Sequence, residues 1–219
     1  MNLPQQIVAI TALNLRSIPQ RLGTSSVIVV GIAGVVGVLV SILAMVTGID
    51  QMMTSNGQDD RAIIVSAGAS YEVMSNLSRE AALTIAYAPG VRRGRDGQPL
   101  ASAEALAIVR APMRREPRDG NLTLRGVGPA AFELRLEVKL VAGRIFNPAL
   151  RELIVGRTAA RQFRGFDVGS HLSLRGMDWA IVGAFESRGG PLEAGLLTGT
   201  DALLSAFRRE AFQSVTVQL

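Results

Sequence analysis

Side chains able to do chemistry are few in this chain and widely spaced. His171 is the single histidine among 219 residues, and cysteine is absent. His171 follows Gly169-Ser170, but a serine and a histidine adjacent in sequence do not make a triad. No G-x-S-x-G elbow is present to expose a nucleophile. One imidazole without a thiol also falls short of a transition-metal site. A G-x-x-x-x-G-K-[ST] phosphate loop needs a lysine, and the only one, Lys139, falls on the polar face of a predicted strand. Asp59 and Asp60 are adjacent carboxylates, which read more simply as solvated charge than as cation ligands. No catalytic, cofactor-binding or metal-ligating residue is therefore assigned, and the chain is read as not being an enzyme.

The net charge of +5 comes from 22 arginines and one lysine against 18 acidic residues. Arg92, Arg93 and Arg95, and again Arg114, Arg115 and Arg118, form short clusters able to meet lipid phosphates, although ordinary surface charge accounts for them as well. Nucleic acid is the usual partner of a basic chain. Here a hydrophobic segment argues against it by placing most of the cations outside the cytoplasm.

That segment runs from Leu22 to Ile49 without Asp, Glu, Lys, Arg or His. At about 1.5 Å per residue it exceeds a hydrocarbon core of about 30 Å, so it reads as a transmembrane helix. A secretory signal would have a shorter apolar core and a small-x-small cleavage site, which Ala44-Met45-Val46 supplies poorly. Arg16 and Arg21 precede the span, while Asp50, Asp59 and Asp60 follow it, which puts the amino terminus inside. Glycine recurs at 31, 34, 37 and 48, a weakness in a water-exposed helix but useful where helices touch in lipid. Ala33, Gly37 and Ser41, four apart, make a small-residue stripe suited to a partner helix.

Three regions follow: residues 1–21 as a cytoplasmic lead-in, 22–49 as the span, and 50–219 as an extracytoplasmic domain. Ile7, Ile10, Leu13 and Ile18 give the lead-in a helical apolar face, Pro4 suits its first turn, and Pro19 ends it. Beyond the span, strands are expected at 61–67, 101–113, 121–127, 134–143 and 152–155. Two more should surround a tight connection at Gly176 to Asp178, and a last one covers 214–219. Helices are expected at 78–87, capped by Ser78, at 156–163, and at 201–209, capped by Asp201. Asp119-Gly120 is the strongest hairpin-turn signal, and Leu134, Leu136, Val138 and Leu140 alternate with charges like a half-buried strand. Short strands interleaved with short helices argue an α+β domain with a mixed sheet and room for two lobes, preceded by one transmembrane helix.

These residues resemble the ABC-transporter permeases of the macrolide-exporter, lipoprotein-releasing and FtsX-like group. Asn14-Leu15-Arg16 matches the family's N-L-R element ahead of its first span. VAGRIF, with Gly143 and Arg144, is followed by ELIVGRTAARQF, with Glu152, Gly156 and Phe163. VGSHLSL, with Gly169, and WAIVGAFESRGG, with Trp179 and Gly183, complete the family's order. The resemblance implies a periplasmic core domain in a bacterial inner-membrane protein, working beside a cytoplasmic ATPase that carries ATP and magnesium. It further implies pairing with a second permease subunit in the bilayer, and it allows a periplasmic adaptor. The three further helices that the family carries after its core domain are absent from these residues, so a single-pass anchored binding or scaffold protein stands as the alternative.

Overall fold

The computed structural model describes residues 3–17, 22–54 and 60–219. It divides into two units, Met1–Ser55 and Asn56–Leu219. The first holds α1 (Leu3–Ser17) and α2 (Leu22–Thr54). Within α2, Ser26–Ile49 has a mean hydropathy of 2.9 and no buried residue. The helix passes the end of the apolar run because a helix propagates until something stops it, and Gln51, Met52 and Met53 are good helix formers. The Ser41 hydroxyl donates to Gly37 O at 2.8 Å, so this polar group is satisfied inside the helix. Pro19, Arg21 and Asp59, and the side chains of Asn14, Arg16 and Asp50, lie outside the described residues.

The second unit is a sheet domain. Its strands are β1 (Arg61–Ile64), β2 (Ala101–Pro112), β3 (Asp119–Val127), β4 (Lys139–Gly143), β5 (Glu152–Gly156), β6 (His171–Leu174), β7 (Met177–Glu186), β8 (Leu196–Gly199) and β9 (Ser214–Gln218). They form a nine-stranded sheet in the order β1-β9-β2-β3-β8-β5-β7-β4, with β6 paired on β7. β3 with β8 and β5 with β7 run parallel, and the other pairs antiparallel. The helices are α3 (Arg79–Ala86), α4 (Ala131–Leu134), α5 (Arg157–Gln162) and α6 (Thr200–Phe207).

β2 shows how sequence sets this packing. Ala105, Ala107, Val109 and Ala111 alternate onto the buried face that carries α6, while Ile108 and Arg110 on the other face are exposed. Small side chains here let α6 come close, and a Cβ on Gly126 of β3 would stand 2.9 Å from the Thr200 Cα. β5 and β8 are buried on both faces, so they read as continuous apolar runs rather than alternating ones. Leu153 and Val155 join a cluster around Trp179 and Ile181, whereas Ile154 points into a second with Phe146, Phe185 and Leu197. The ends of the sheet are blunt: β1 has four residues, and β4 carries Lys139 and a register shift between Leu140 and Ala142.

Four expectations need correction. The hairpin turn is Met113 to Arg118, and Asp119 and Gly120 instead pair with Pro112 and Ala111 inside the ladder. The loop is held by Arg114, whose Nε donates to Phe163 O at 3.1 Å, and Gly120 leaves room for the Phe163 ring. Residues 134–138 are not a strand: Arg135 turns inward to an ion pair with Glu104 and Leu136 is left 72% exposed. Asp201 lies in the first turn of α6 rather than capping it, and pairs with Arg79 at 3.0 Å. The hairpin joining β6 to β7 turns at Arg175-Gly176, both at positive φ, one residue before the expected connection. By contrast, the Ser78 cap of α3 is present, accepting from Ala81 N at 3.1 Å.

β7 is the joint of the domain, and two glycines make it close. A Cβ on Gly183 would lie 2.3 Å from Arg144 O, and one on Gly143, at φ +71°, would lie 2.2 Å from Val182 O. Arg144 then reaches Glu152 with both guanidinium nitrogens at 2.6 Å, bracing β4 against β5. Gly156 touches the single-turn helix Pro191–Ala194, where a Cβ would stand 2.0 Å from Glu193 O. The Glu193 carboxylate accepts from Ser187 N (2.8 Å), Gly189 N (3.0 Å) and the Thr158 hydroxyl (3.1 Å), tying this loop to α5. The two Arg144 bonds hold the Glu152 carboxyl below its ordinary range. Burial would raise Glu193, but its backbone and hydroxyl donors outweigh that and keep it low.

Gly156→Ala is expected to cost about 1–3 kcal/mol by forcing the loop off β5. The full chain in detergent reads this as a lowered urea midpoint, followed by the emission of Trp179, the sole tryptophan and fully buried. Because Glu152 and Glu193 titrate lower when folded, their contribution is complete above the unfolded value of about 4.3 and is lost as pH falls through the folded values. The midpoint should hold steady above about pH 5 and drop below about pH 4, with Glu193→Gln flattening part of the drop. A midpoint that rises on acidification would contradict this.

Candidate functional site

The positions singled out by sequence separate into groups. Gly143, Arg144, Glu152, Gly156 and Gly183 meet at the β7 joint, where they set backbone spacing and one ion pair. Phe163 and Trp179 are core residues of the larger cluster, and Gly169, at φ +92°, makes the turn before β6. Ala33, Gly37 and Ser41 lie along α2 with open space at the Gly37 Cβ position. His171 is exposed and holds Asp178 at 2.6 Å across the β6–β7 hairpin. Asp60 accepts from Gln218 Nε2 at 2.7 Å and faces Arg92 at 3.8 Å. Of the arginine clusters, Arg114 meets Asp167 at 3.4 Å and Arg118 pairs with Glu116.

What the sequence reading missed is a buried ionic cluster on the sheet face opposite α6. Glu104 has no solvent exposure and stands 2.6 Å from both Arg125 and Arg135. Glu72, in the short turn Glu72–Met74, grips Arg125 with two oxygens at 2.7 and 2.8 Å. That carboxylate also accepts from the Ser214 hydroxyl at 2.5 Å. Arg135 Nη2 donates to the Thr216 hydroxyl at 3.3 Å, while Arg61 pairs with Glu137 at 2.8 Å and donates to Leu134 O at 3.0 Å. Three guanidinium groups thus face three carboxylates, and their formal charges cancel.

The place of the cluster in the fold explains why it is there. Residues 101–104 of β2 pair with β9 and residues 105–112 pair with β3, so Glu104 sits where the strand changes partner. Its carboxylate binds Arg125 on β3 and Arg135 just after α4, and Glu72 extends the tie to Ser214 on β9. Burial would depress the Arg125 pKa, yet Glu72 and Glu104 push it well above its ordinary value. Burial likewise raises Glu72, and Arg125 with Ser214 brings it below the carboxylate range. Both shifts favour the charged forms of the Glu72–Arg125 pair. Removing one member would leave the buried cluster with a charge in excess, which is destabilising, so the cluster fixes geometry more than it adds net stability.

A cavity of about 330 Å³ opens beside the cluster, walled by Arg61, Arg125, Arg135 and Glu137 together with Leu106 and Leu192. Its charged walls are already matched to one another, and it presents no nucleophile beside a base. A faint signal was available in the sequence: Glu104 is the only charge in residues 101–109 of β2, and Arg125 the only one in residues 120–127 of β3.

A family model described as the MacB-like periplasmic core domain matches residues 25–219. Among solved structures, the chain is similar to the periplasmic region of MacB from Actinobacillus actinomycetemcomitans. That match has 13% identity and a TM-score of 0.53, covering 74% of this chain and 75% of that one. It is also similar to the extracellular domain of the ABC-type transporter YknZ from Gram-positive bacteria. Here identity is 16% and the TM-score 0.51, with 72% of this chain and 81% of that one covered. At such identities the likeness is one of fold. No curated protein matches the chain significantly. With the family model spanning nearly all of the sequence and both neighbours sharing the mixed sheet, the chain belongs to the MacB-like periplasmic core domain family.

Proposed function

We propose that this chain is a permease subunit, or the amino-terminal part of one, of an ABC exporter in a bacterial inner membrane. The family match, joined to an apolar helix of spanning length directly ahead of the sheet domain, carries this reading. α2 crosses the bilayer with α1 on the cytoplasmic side, and the sheet domain stands in the periplasm. The chain itself binds no cofactor: ATP and magnesium belong to a separate cytoplasmic ATPase, whose closing and opening the membrane helices relay to the sheet domain. The work done is export or extraction of a hydrophobic or envelope-associated substrate, or control of an envelope enzyme. A second permease subunit packs on the Ala33, Gly37 and Ser41 stripe, and a periplasmic adaptor completes the assembly where one is used.

The chain has no cysteine, so introduced ones report cleanly. Ser70→Cys should react with a membrane-impermeant maleimide in spheroplasts, and Gln6→Cys only after lysis; the reverse pattern would overturn the orientation. Ala33→Cys should form a disulfide-linked dimer under mild oxidation. Adding Gly37→Leu should reduce the dimer, because a bulky side chain on the small-residue stripe holds the partner backbone away. ATPase activity of the partner subunit, measured in membranes, should fall when this chain is removed. An unchanged rate would favour an anchored scaffold.

A further inference from the structure

We propose that a groove between α3 and the turn at residues 94–100 docks a segment of a partner protein that presents a lysine or arginine beside apolar side chains. The groove encloses about 470 Å³, with walls from Leu83, Tyr87, Leu100, Pro129 and Phe212. Asp96 and Glu133 also line it. Leu83 and Tyr87 follow one another at helical spacing on the outer face of α3 and are 56% and 57% exposed. Apolar surface therefore reaches from the groove to its solvent-exposed rim on α3, and contiguous apolar surface of this kind marks an interaction site.

The charge at one end selects the occupant. A Cβ on Gly94 would lie 3.0 Å from Asp96 Oδ1 and 3.5 Å from Glu133 Oε2, so the two carboxylates converge on the gap that glycine keeps open. Among the described residues neither is ion-paired, and Asp96 accepts only the Gln98 N–H at 3.0 Å. The third acid lining the groove, Asp201, is already matched by Arg79, which also lies over the Phe212 ring at 5.3 Å. Of the neighbouring cations, Arg92 faces Asp60 and Arg93 donates to Gly97 O, and neither lines the groove, nor does Arg95. Two converging carboxylates without a cation, beside an apolar trough in a chain of net charge +5, complement a basic side chain flanked by apolar ones.

The test uses the full chain in amphipol and two fluorescein-labelled amphipathic 12-residue peptides that differ in one central residue, Lys or Gln. Anisotropy titration should show the Lys peptide binding about tenfold tighter, with the advantage shrinking as salt rises. Asp96→Asn with Glu133→Gln, both surface changes, should erase that preference, and Leu83→Ser with Tyr87→Ser should weaken both peptides alike. Equal binding of the two peptides to the unaltered chain, or a Lys preference that survives the Asp96/Glu133 change, would overturn the proposal. So would binding of octylamine that depends on Asp96 and Glu133 while neither peptide binds, since that describes a small-amine site. The inference stands on this groove and does not depend on whether the chain works with an ATPase.

Discussion

Everything about this protein turns on an apolar helix with nothing to cover it. From Ser26 to Ile49 no residue of α2 is buried, and its Val, Ile and Leu side chains are exposed along the whole span. Each such side chain costs about 1.5–3 kcal/mol to leave in water. A bilayer removes that cost at once, because α2 satisfies its own backbone hydrogen bonds and its Ser41 hydroxyl bonds back to Gly37 O. The same environment changes the meaning of glycine. In water Gly31, Gly34 and Gly37 weaken a helix, whereas in lipid they offer a flat surface for a neighbouring backbone.

The sheet domain follows the opposite logic, since it must close on itself without disulfides. It uses two kinds of contact that tolerate little slack. At β7 the glycines at 143, 156 and 183 bring backbone against backbone, and Arg144 with Glu152 and Glu193 with its loop lock what they bring together. At the point where β2 changes partner, Glu104 holds arginines arriving from β3 and from the segment after α4. Such ties join the two halves of the sheet across β2 and β7.

Local pattern carried much of this architecture. The runs at β2, β5 and β9, the Ser78 cap and the short α5 were legible because hydrophobic periodicity and a side-chain cap act over a few residues. Two of the misreadings share one cause, a tertiary contact overriding a local rule. Gly120 reads as a turn but serves to admit Phe163 from the α5 end. Arg135 should face water by alternation, and Glu104 draws it inside, leaving Leu136 out. The ionic cluster was illegible for the same reason: Glu72, Glu104, Arg125 and Arg135 come from separate elements, and only the fold brings them together.

The central claim, that α2 stays permanently in a bilayer and carries the sheet domain on it, is tested most directly by alkaline carbonate extraction of membranes with intact-mass measurement of the retained protein. The account requires the chain to remain in the pellet at a mass that includes residues 1–49. Release into the supernatant as a species beginning after Ile49 would contradict it.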